Sequence, residues 1–314
     1  MKLSVIVVNW NTEELLGRCL ASLFSQDLPV PFEVIVVDNA STDGSADMVR
    51  RRFPQAEVMA SPENLGFARA NNLALERAGG EYVLLLNPDA IIPDNRTLAA
   101  WLRFMDGRPE AAASGCRLVF PDGSHQVGDA GFRPTPKSVA SYALFLSRLF
   151  PSLKTIYVNR GGLKDPLEVD WVCGAGLLVR RSIIQEVGKM DENIFMYAED
   201  VEWGCRMRDF GHKLYYLPDL SIIHLQGATE RTAKEGPPSF AWLENMRSLY
   251  ARYSRGKSVA TFDLLFSVSF FLRAASYYLG FLASGDAGMK EKGRRMGQYL
   301  RLVLRHLFNG RKQG

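Results

Sequence analysis

Short apolar runs alternate with stretches of helical spacing through the first half of the chain. The runs Leu3–Val8 and Phe32–Val37 are rich in β-branched residues, which is typical of strands buried on both faces of a parallel sheet. Each is followed by a polar loop and then by apolar residues at helical spacing. Two such units in succession predict an α/β fold, with a mostly parallel central sheet flanked by helices. The first turn lacks a G-x-G-x-x-G pattern, which counts against a dinucleotide-binding enzyme.

A third apolar run, Val83–Leu86, breaks at Asn87-Pro88-Asp89. Pro88 cannot continue a central ladder, so the strand must end there. In open α/β sheets ligands bind beyond the carboxyl ends of the strands, which puts Asp89 where a ligand or metal would be held. The same three residues also favour an ordinary turn, and by themselves they leave turn and site open.

Two further loops carry polar side chains suited to binding a nucleotide. Asp38 follows the second strand and can accept hydrogen bonds from a ring N–H or from ribose hydroxyls. Its alternative role is to cap the next helix, but Asp43 and Ser45 are also available as caps. Gly66 permits close approach of a backbone, and Arg69 is long enough to reach a phosphate, although alone they indicate only a helix start.

Three titratable residues later in the chain could each have a structural or a functional role. Glu199 and Asp200 precede an apolar helical stripe, where carboxylates ordinarily cap the helix or offset its dipole. The functional reading is a general base. His224 lies near the end of a predicted strand, and a single histidine in that position is more often structural than a ligand.

The middle of the chain is less regular. From about residue 125 to 166 glycine, proline and mixed residues predict an irregular insertion that shapes an acceptor site or a lid. Val169–Val179 then predicts a strand, and Lys213–Leu217 and Ser221–Leu225 predict two short ones. We divide the chain into a catalytic domain over residues 1–230 and a helical, apolar and basic region over residues 231–314.

Residues 261–283 are densely apolar, but Asp263 and Arg273 interrupt them. No uncharged run therefore reaches the ~18 residues that a membrane-spanning helix needs. We expect a helix lying in a membrane interface, with aromatic side chains at headgroup level. The alternative is a helix buried against the catalytic domain or against a second copy in a homodimer.

Charge and cysteine content refine this picture. The net charge is +4, but from Lys290 onward there are eight Lys/Arg against one acid. This basic tail favours an anionic membrane surface over nucleic acid. The four cysteines are widely spaced without a C-x-x-C pair, which indicates thiols in a reducing compartment. Because Lys2 is followed directly by a strand pattern rather than a signal peptide, we expect a cytoplasmic protein on the inner face of the cell membrane.

Taken together and in order, the motifs from Lys2 to Gly227 resemble a family 2 glycosyltransferase of the GT-A fold. They are VIVVNWN, VVDNASTDGS, ENLGFARANN, LLLNPDA, WVCGAGLLVRR, the Glu199-Asp200 pair and IIHLQGAT. The Asn-Pro-Asp triplet and the DWVCGA segment are similar to the bacterial rhamnosyltransferase branch. That branch builds O-antigen, cell-wall linker and other surface glycans from dTDP-rhamnose.

The resemblance implies a role for individual residues. Asp38 reads the pyrimidine ring, Asp89 is the last acid of a D-x-D metal motif, and His224 completes the site for Mn²⁺ or Mg²⁺. The nucleotide-sugar site is implied to contain Asn9, Asn11, Asp38, Asn64, Gly66, Arg69, Asn87 and Asp89. Asn87 departs from the family, since the first acid of the motif is here neutral.

The acceptor side is implied in the same way. Asp200 is the catalytic base, with Glu199 beside it to position substrate. Trp171, Gly174 and Ala175 bind the acceptor. One base on the face opposite the leaving group implies a single displacement with inversion at the sugar C1.

The resemblance thus implies transfer of a sugar, rhamnose from dTDP-rhamnose or another from a UDP-sugar, to a lipid-linked or glycan acceptor. Two other functions are weighed against it. A sugar nucleotidyltransferase would need a basic Gly-rich loop in the first turn, and Asn9-Trp10-Asn11-Thr12 is not one. A binding module that has lost catalysis would explain the neutral Asn87.

Overall fold

The structure, a computed structural model, describes residues 1–159, 162–225, 240–254, 256 and 258–310. Within that part of the chain the main feature is a mixed nine-stranded sheet. Its strands are β1 (Leu3–Asn9), β2 (Phe32–Asn39), β3 (Ala56–Ser61), β4 (Tyr82–Leu86), β5 (Ala90–Ile91), β6 (Ala111–Val119), β8 (Leu167–Val169), β10 (Gly176–Arg180) and β11 (Lys213–His224). A separate pair is formed by β7 (Ala130–Gly131) and β9 (Trp171–Val172).

The strands lie in the order β3-β2-β1-β4-β10-β6-β11-β5, with β8 paired to β11. The first four are parallel, as the repeated strand–loop–helix pattern predicts. Strand β10 runs antiparallel to both β4 and β6, and β11 is parallel to β6. The carboxyl ends of β1, β2 and β4 therefore meet at one edge of the sheet, where the polar loops begin.

The helices have these bounds: α1 (Glu13–Phe24), α2 (Ser45–Arg52), α3 (Gly66–Leu75), α4 (Thr97–Asp106), α5 (Pro136–Ala143), α6 (Leu146–Leu149), α7 (Arg181–Val187), α8 (Glu199–Asp209), α9 (Ala241–Tyr253), α10 (Val259–Ser284) and α11 (Ala287–Gly310). The core lies where α1, α2 and α4 cover the sheet. Leu16, Leu20, Trp101 and Met105 are almost fully buried there. Within each helix the two residues are four positions apart, which puts them on one face.

Some predicted elements differ from the structure. The segment predicted as irregular contains β7, α5 and α6. Helix α5 begins with a capping box between Thr135 and Ser138, with Pro136 in the first turn. The two strands predicted from Lys213 onward are one strand, β11, with a register shift between Leu217 and Ser221. A bulge absorbs the missing N–H of Pro218 without ending the strand.

The strand predicted over Val169–Val179 is also interrupted, since β9 and β10 are separated at residues 173–175. The carbonyl of Ala175 still accepts from the amide of Asn87, which directly follows β4, but the amide of Gly174 donates to the Asp200 side chain instead of to a neighbouring strand. Residues that bond outside the ladder cannot extend it, so the strand breaks at the site.

The chain forms two compact units. The first comprises Met1–Gly131 and Tyr157–Gly236, and the second comprises Phe132–Ile156 and Pro237–Gly314. The second unit thus combines α5 and α6 with α9, α10 and α11. The predicted boundary near residue 230 lies outside the described residues.

Candidate active site

Asn9 and Asp38 lie side by side at the ends of β1 and β2. The parallel register pairs these two residues directly, and both are buried. Asn9 Nδ2 donates to Asp38 Oδ1 at 3.3 Å and to Ser41 Oγ at 3.1 Å, and the amide of Ser41 donates to Asp38 Oδ2 at 3.3 Å. Asp38 is held in place by these long hydrogen bonds from the strand end and loop.

Helix capping in this region is done by a different acid. Asp43 Oδ2 accepts from the amide of Glu13 at 2.8 Å at the start of α1, and Asp43 Oδ1 accepts from the amide of Ser45 at 3.1 Å. Burial would raise the pKa of Asp43, but a hydrogen bond from the Ser45 hydroxyl, together with these two amide bonds, holds that pKa below its ordinary value. Asp38 makes no such cap, so the alternative role considered for it is taken by Asp43. Asn11 lies in the adjoining loop at φ 53°, and its Oδ1 accepts from the amide of Thr42 at 2.8 Å.

The predicted Asn64–Gly66 loop is tied to the end of β2 through Asn39. Asn39 Nδ2 donates to Asn64 Oδ1 at 2.9 Å, and its Oδ1 accepts from the amide of Leu65 at 2.8 Å. Asn64 Oδ1 also accepts from the amide of Gly66 at 3.0 Å. Asn64 therefore shapes the loop. Arg69 is exposed on α3 and makes a loose ion pair with Glu63 at 3.9 Å.

Gly66 faces protein rather than open space. Its φ is +77°, and a Cβ there would collide with the carbonyl oxygen of Phe195 and come within 2.6 Å of its ring. The same carbonyl accepts a hydrogen bond from the amide of Phe67 at 2.9 Å. The close backbone approach that Gly66 permits is made here by the carbonyl of Phe195, in the segment leading to Glu199 and Asp200.

Asp89 and His224 form the centre of the site. β5 pairs antiparallel with β11 so that Ala90 lies opposite His224, which brings the preceding Asp89 beside the imidazole. Asp89 Oδ1 lies 3.2 Å from His224 Nε2, and both side chains are buried. Asn87 Nδ2 lies 3.1 Å from the same ring nitrogen. The structure thus brings the predicted metal residues together and puts Asn87 against the histidine.

Gln126 is a residue that sequence analysis missed. It is buried, and its Oε1 lies 2.7 Å from His224 Nδ1. An amide oxygen can only accept, so this bond places a hydrogen on Nδ1; an Nε2 without a proton then has a lone pair that can accept from Asn87 Nδ2 or bind a cation. Gln126 follows a turn in the predicted insertion, and no local pattern marks it; only the strand pairing brings it to His224.

The donor atoms fit a divalent cation. Asp89 Oδ1 and His224 Nε2 lie 3.2 Å apart, and a carboxylate oxygen and an imidazole nitrogen are both ligands that divalent cations accept. Among the described residues no group of three or more His, Cys, Asp or Glu side chains comes together as a metal centre. Asp89 and His224 would therefore hold the ion as a two-residue protein contribution, which suits an ion shared with a diphosphate.

A two-residue backbone segment links this centre to the acidic pair. The amide of Gly174 donates to Asp200 Oδ2 at 2.9 Å, and the carbonyl of Ala175 accepts from the amide of Asn87 at 3.2 Å. A Cβ on Gly174 would lie 2.9 Å from the ring of Phe67. The two predicted acceptor residues thus act here through their backbone, and each fixes one side of the site.

Asp200 and Glu199 begin α8 in different surroundings. Asp200 Oδ1 accepts from the amide of Val201 at 2.8 Å, so both oxygens of this half-buried carboxylate are bonded. Burial raises the pKa of Asp200, although the hydrogen bonds from Gly174 and Val201 oppose the change. Burial, and then the charge of Asp200, raises the pKa of Glu199 to about 8. Glu199 Oε2 is buried without a hydrogen-bond partner among the described residues.

The turn before this pair is strained. Tyr197 and Ala198 both have φ of 70°, a left-handed conformation that costs non-glycine residues of the order of 1 kcal/mol or more each. Two strained residues persist only where the surroundings hold them. The bonds of Phe195 to α3 and of Asp200 to Gly174 hold the two ends of this turn.

Trp171 occupies the core of the first unit rather than a surface. It is 2% exposed, packs edge-on against Tyr157 with ring centroids 5.8 Å apart, and lies under Gly204 of α8. A Cβ on Gly204 would come within 2.7 Å of the Trp171 backbone. This placement fits a packing role beneath α8 better than direct contact with an acceptor.

Comparison with known proteins agrees with this geometry. Residues 4–188 match the model of the glycosyl transferase family 2 domain. The chain is 31% identical over 235 residues to the N-acetylglucosaminyl-diphospho-decaprenol L-rhamnosyltransferase of Mycobacterium tuberculosis, covering 71% of this chain and 75% of that protein. It is 25% identical over 274 residues to rhamnosyltransferase WbbL of Escherichia coli, covering 84% and 98%.

Solved structures share the fold. The mannosyltransferase PcManGT from Pyrobaculum calidifontis, in complex with GDP-Man and Mn²⁺, aligns with a TM-score of 0.54 at 19% identity, over 98% of this chain and 87% of that one. S. aureus TarS 1–349 in complex with UDP aligns with a TM-score of 0.52 at 21% identity, over 92% and 76%. The matched domain covers more than half of the chain and contains the paired ends of β1, β2 and β4. The chain therefore belongs to glycosyl transferase family 2 and is a glycosyltransferase.

Proposed function

We propose that this protein is an inverting, divalent-cation-dependent rhamnosyltransferase that uses dTDP-rhamnose and a lipid-linked acceptor in surface glycan biosynthesis. The observation that carries the proposal is the link through Gly174 and Ala175. One of these residues fixes the Asp200 carboxylate, and the other fixes Asn87 next to the Asp89–His224 pair. A base and a diphosphate-binding centre are thereby held on one rigid backbone segment.

The donor occupies the ends of β1, β2 and β4 in this proposal. Asp38, supported by Asn9, accepts from the N–H of a pyrimidine ring, and thymine and uracil both present that donor. Asp89 and His224 would hold the cation, which, when bound, offsets the negative charge that develops on the diphosphate leaving group. Arg69, exposed in the first turns of α3, would supply a positive charge for phosphate contact.

The transfer is a single displacement. The acceptor hydroxyl oxygen forms a bond to the sugar C1 as the bond from C1 to the diphosphate oxygen breaks. The bonding electrons leave with the nucleoside diphosphate, and the acceptor proton passes to Asp200. A positioned carboxylate base contributes roughly 10²–10⁴ in rate. Because attack comes from the face opposite the leaving group, the configuration at C1 inverts.

The relatives and the second unit support the proposed acceptor and location. The mycobacterial relative is named for transfer to N-acetylglucosaminyl-diphospho-decaprenol, which supports a lipid-linked acceptor here. Helix α10 is long and apolar enough to cross a membrane by length and composition, with 39% of its most apolar window buried. We infer a cytoplasmic protein attached to the inner face of the membrane.

The test is a donor and acceptor matrix. Purified protein is incubated with Mn²⁺ or Mg²⁺, a short-chain N-acetylglucosaminyl-diphospho-lipid, and dTDP-rhamnose, a UDP-sugar or GDP-mannose, and release of nucleoside diphosphate is measured. We expect turnover with dTDP-rhamnose that EDTA abolishes. Turnover with only a UDP-sugar or only GDP-mannose would overturn the donor assignment. Donor binding without any turnover would indicate a binding module. Diphosphate release from dTTP and a sugar 1-phosphate would indicate a nucleotidyltransferase.

A further inference from the structure

Helix α10 exposes a continuous apolar stripe. Six large side chains on it are at least 42% exposed: Leu264, Phe271, Leu272, Tyr278, Leu279 and Leu282. At 3.6 residues per turn they fall within about 120° of the helix circumference and extend over about 27 Å. An exposed apolar surface of this length, unbroken by charge, is unusual for a protein surface that faces water.

The two charges that interrupt this segment in the sequence lie away from the stripe. Asp263 is 1% exposed and accepts from Arg247 of α9 at 2.8 and 3.0 Å. Arg273 lies over the rings of Tyr142 and Phe145, 5.1 and 4.5 Å from their centroids. Folding therefore collects both charges on the protein-facing side of α10 and leaves the other side purely apolar.

The protein-facing side is fixed by aromatic packing within the second unit. Phe262 packs against Tyr250 of α9 at 5.3 Å, and Phe270 stacks on Tyr299 of α11 at 5.2 Å. A helix that crosses a bilayer alone would have lipid on every side. Here, crossing would also take the Asp263 ion pair and its partner helix into hydrocarbon, which is costly. The packing therefore favours a helix that lies in the plane of a surface.

The neighbouring helix supplies the matching charge. Over α11 there are six Lys/Arg, at positions 290, 292, 294, 295, 301 and 305, against the single acid Glu291. Helix α11 packs closely along α10, with Gly293 against Tyr278 and Gly280 against Met289. Anionic headgroups attract such a helix, whereas a symmetric dimer through the stripe would bring two basic helices together.

We propose that the α10 stripe is a docking surface for an anionic lipid membrane, on which the helix lies in the plane of the interface with its aromatic and leucine side chains below headgroup level. This inference extends the membrane location proposed above. It is measured by lipid binding, so it can fail while transfer to a soluble acceptor analogue succeeds, and the reverse also holds.

The first experiment is vesicle flotation of the full chain. We expect co-flotation with phosphatidylcholine vesicles containing about 30% phosphatidylglycerol, weaker binding to phosphatidylcholine alone, and partial loss in high salt. Phe271→Ser with Leu279→Ser should lower the partition coefficient at least tenfold. The matched control is Phe120→Ser with Phe210→Ser, which removes exposed aromatic surface from the first unit and should leave binding unchanged.

Equal flotation of the stripe variant and the wild type would overturn the proposal. So would a stable dimer in light scattering that the stripe substitutions dissociate while no vesicle binding is seen.

A second measurement distinguishes a helix lying in the interface from a helix crossing the membrane. Nitroxide labels are attached at Leu264→Cys, Leu272→Cys and Leu282→Cys, and their depth in the membrane is measured. Unsubstituted protein treated in the same way gives the signal from labelled native cysteines. In-plane docking predicts similar shallow depths at all three sites. A depth that is greatest at position 272 and shallow at both ends would indicate a crossing helix and overturn it.

Discussion

The carbonyl oxygen of Phe195 lies directly over Gly66, so that one bond joins the start of α3 to the turn that carries Glu199 and Asp200. The predicted nucleotide-sugar loop and the predicted catalytic pair are therefore mechanically coupled. Gly66 has a left-handed backbone conformation and lies against Phe195, so its replacement tests this coupling.

Gly66→Ala should lower kcat at least tenfold and reduce the melting temperature. The added Cβ must displace Phe195, and the displacement reaches Asp200 through the strained Tyr197 and Ala198. The matched control is Gly123→Ala. Gly123 has φ of +80° but no atom within 4 Å of a Cβ, so it reports the left-handed strain alone. Equal effects of the two substitutions on kcat would contradict the coupling.

Asp200→Asn should lower kcat by about 10² or more and leave the affinity for the sugar nucleotide unchanged. The amide keeps one oxygen for the Gly174 bond but cannot take up a proton. If Asp200 only stabilised the helix start, Asn would serve nearly as well and kcat would not change. Single-turnover kinetics and donor titration distinguish the two roles. A base must be deprotonated to act, so wild-type kcat should rise with pH as Asp200 loses its proton. Because burial raises the pKa of Asp200, this rise should lie at higher pH than for an ordinary aspartate.

Glu199→Gln tests the buried acid through the pH dependence of stability. The folded-state pKa of about 8 lies above the ordinary 4.5, so the folded protein binds more protons than the unfolded chain between these values. Stability of the wild type therefore falls as pH rises through this window. The neutral variant lacks this term. Its free energy of unfolding relative to wild type should increase from about pH 4.5 to about pH 8 and then level off. A difference in free energy of unfolding between the variant and the wild type that stays constant over this pH range would refute the assignment.

Gln126→Ala should weaken Mn²⁺ binding in the presence of the nucleoside diphosphate by 10- to 100-fold, because His224 loses the partner that orients its ring. The readout is the Mn²⁺ concentration for half-maximal binding, followed by electron paramagnetic resonance. Ser124→Ala is the control, since Ser124 bonds through its side chain to Asp122 within the same exposed turn. Unaltered Mn²⁺ affinity in Gln126→Ala would remove Gln126 from the site.

Asp89→Ala should abolish turnover and Mn²⁺ binding that depends on the diphosphate, while Asn87→Ala should cost less. Asp89 is the carboxylate facing His224, whereas Asn87 contributes one neutral contact to the ring. Metal titration of both variants with donor present provides the comparison. Near-normal turnover of Asp89→Ala in buffer freed of chelators would show that the cation is held elsewhere.

Most strands and helices of the first 120 residues could be predicted from local sequence patterns. Buried strands, helix starts and the positions of Asp38, Asp89 and Asp200 at the ends of elements all follow from periodicity of two or 3.6 residues and from turn chemistry. Such signals act over a few residues, so they can be read without knowing what lies opposite.

Which of these residues meet depends on long-range packing and could not be predicted from local patterns. Gln126 reaches His224 across 98 positions, and Gly66 is a glycine because Phe195 approaches it. Likewise, Asp263 and Arg273 interrupt the apolar segment in the sequence but not on the folded surface, since both charges find partners on the inner side of α10. Each of these contacts joins elements that are distant in the sequence. Local periodicity and turn chemistry describe only neighbouring residues, so they do not predict such contacts.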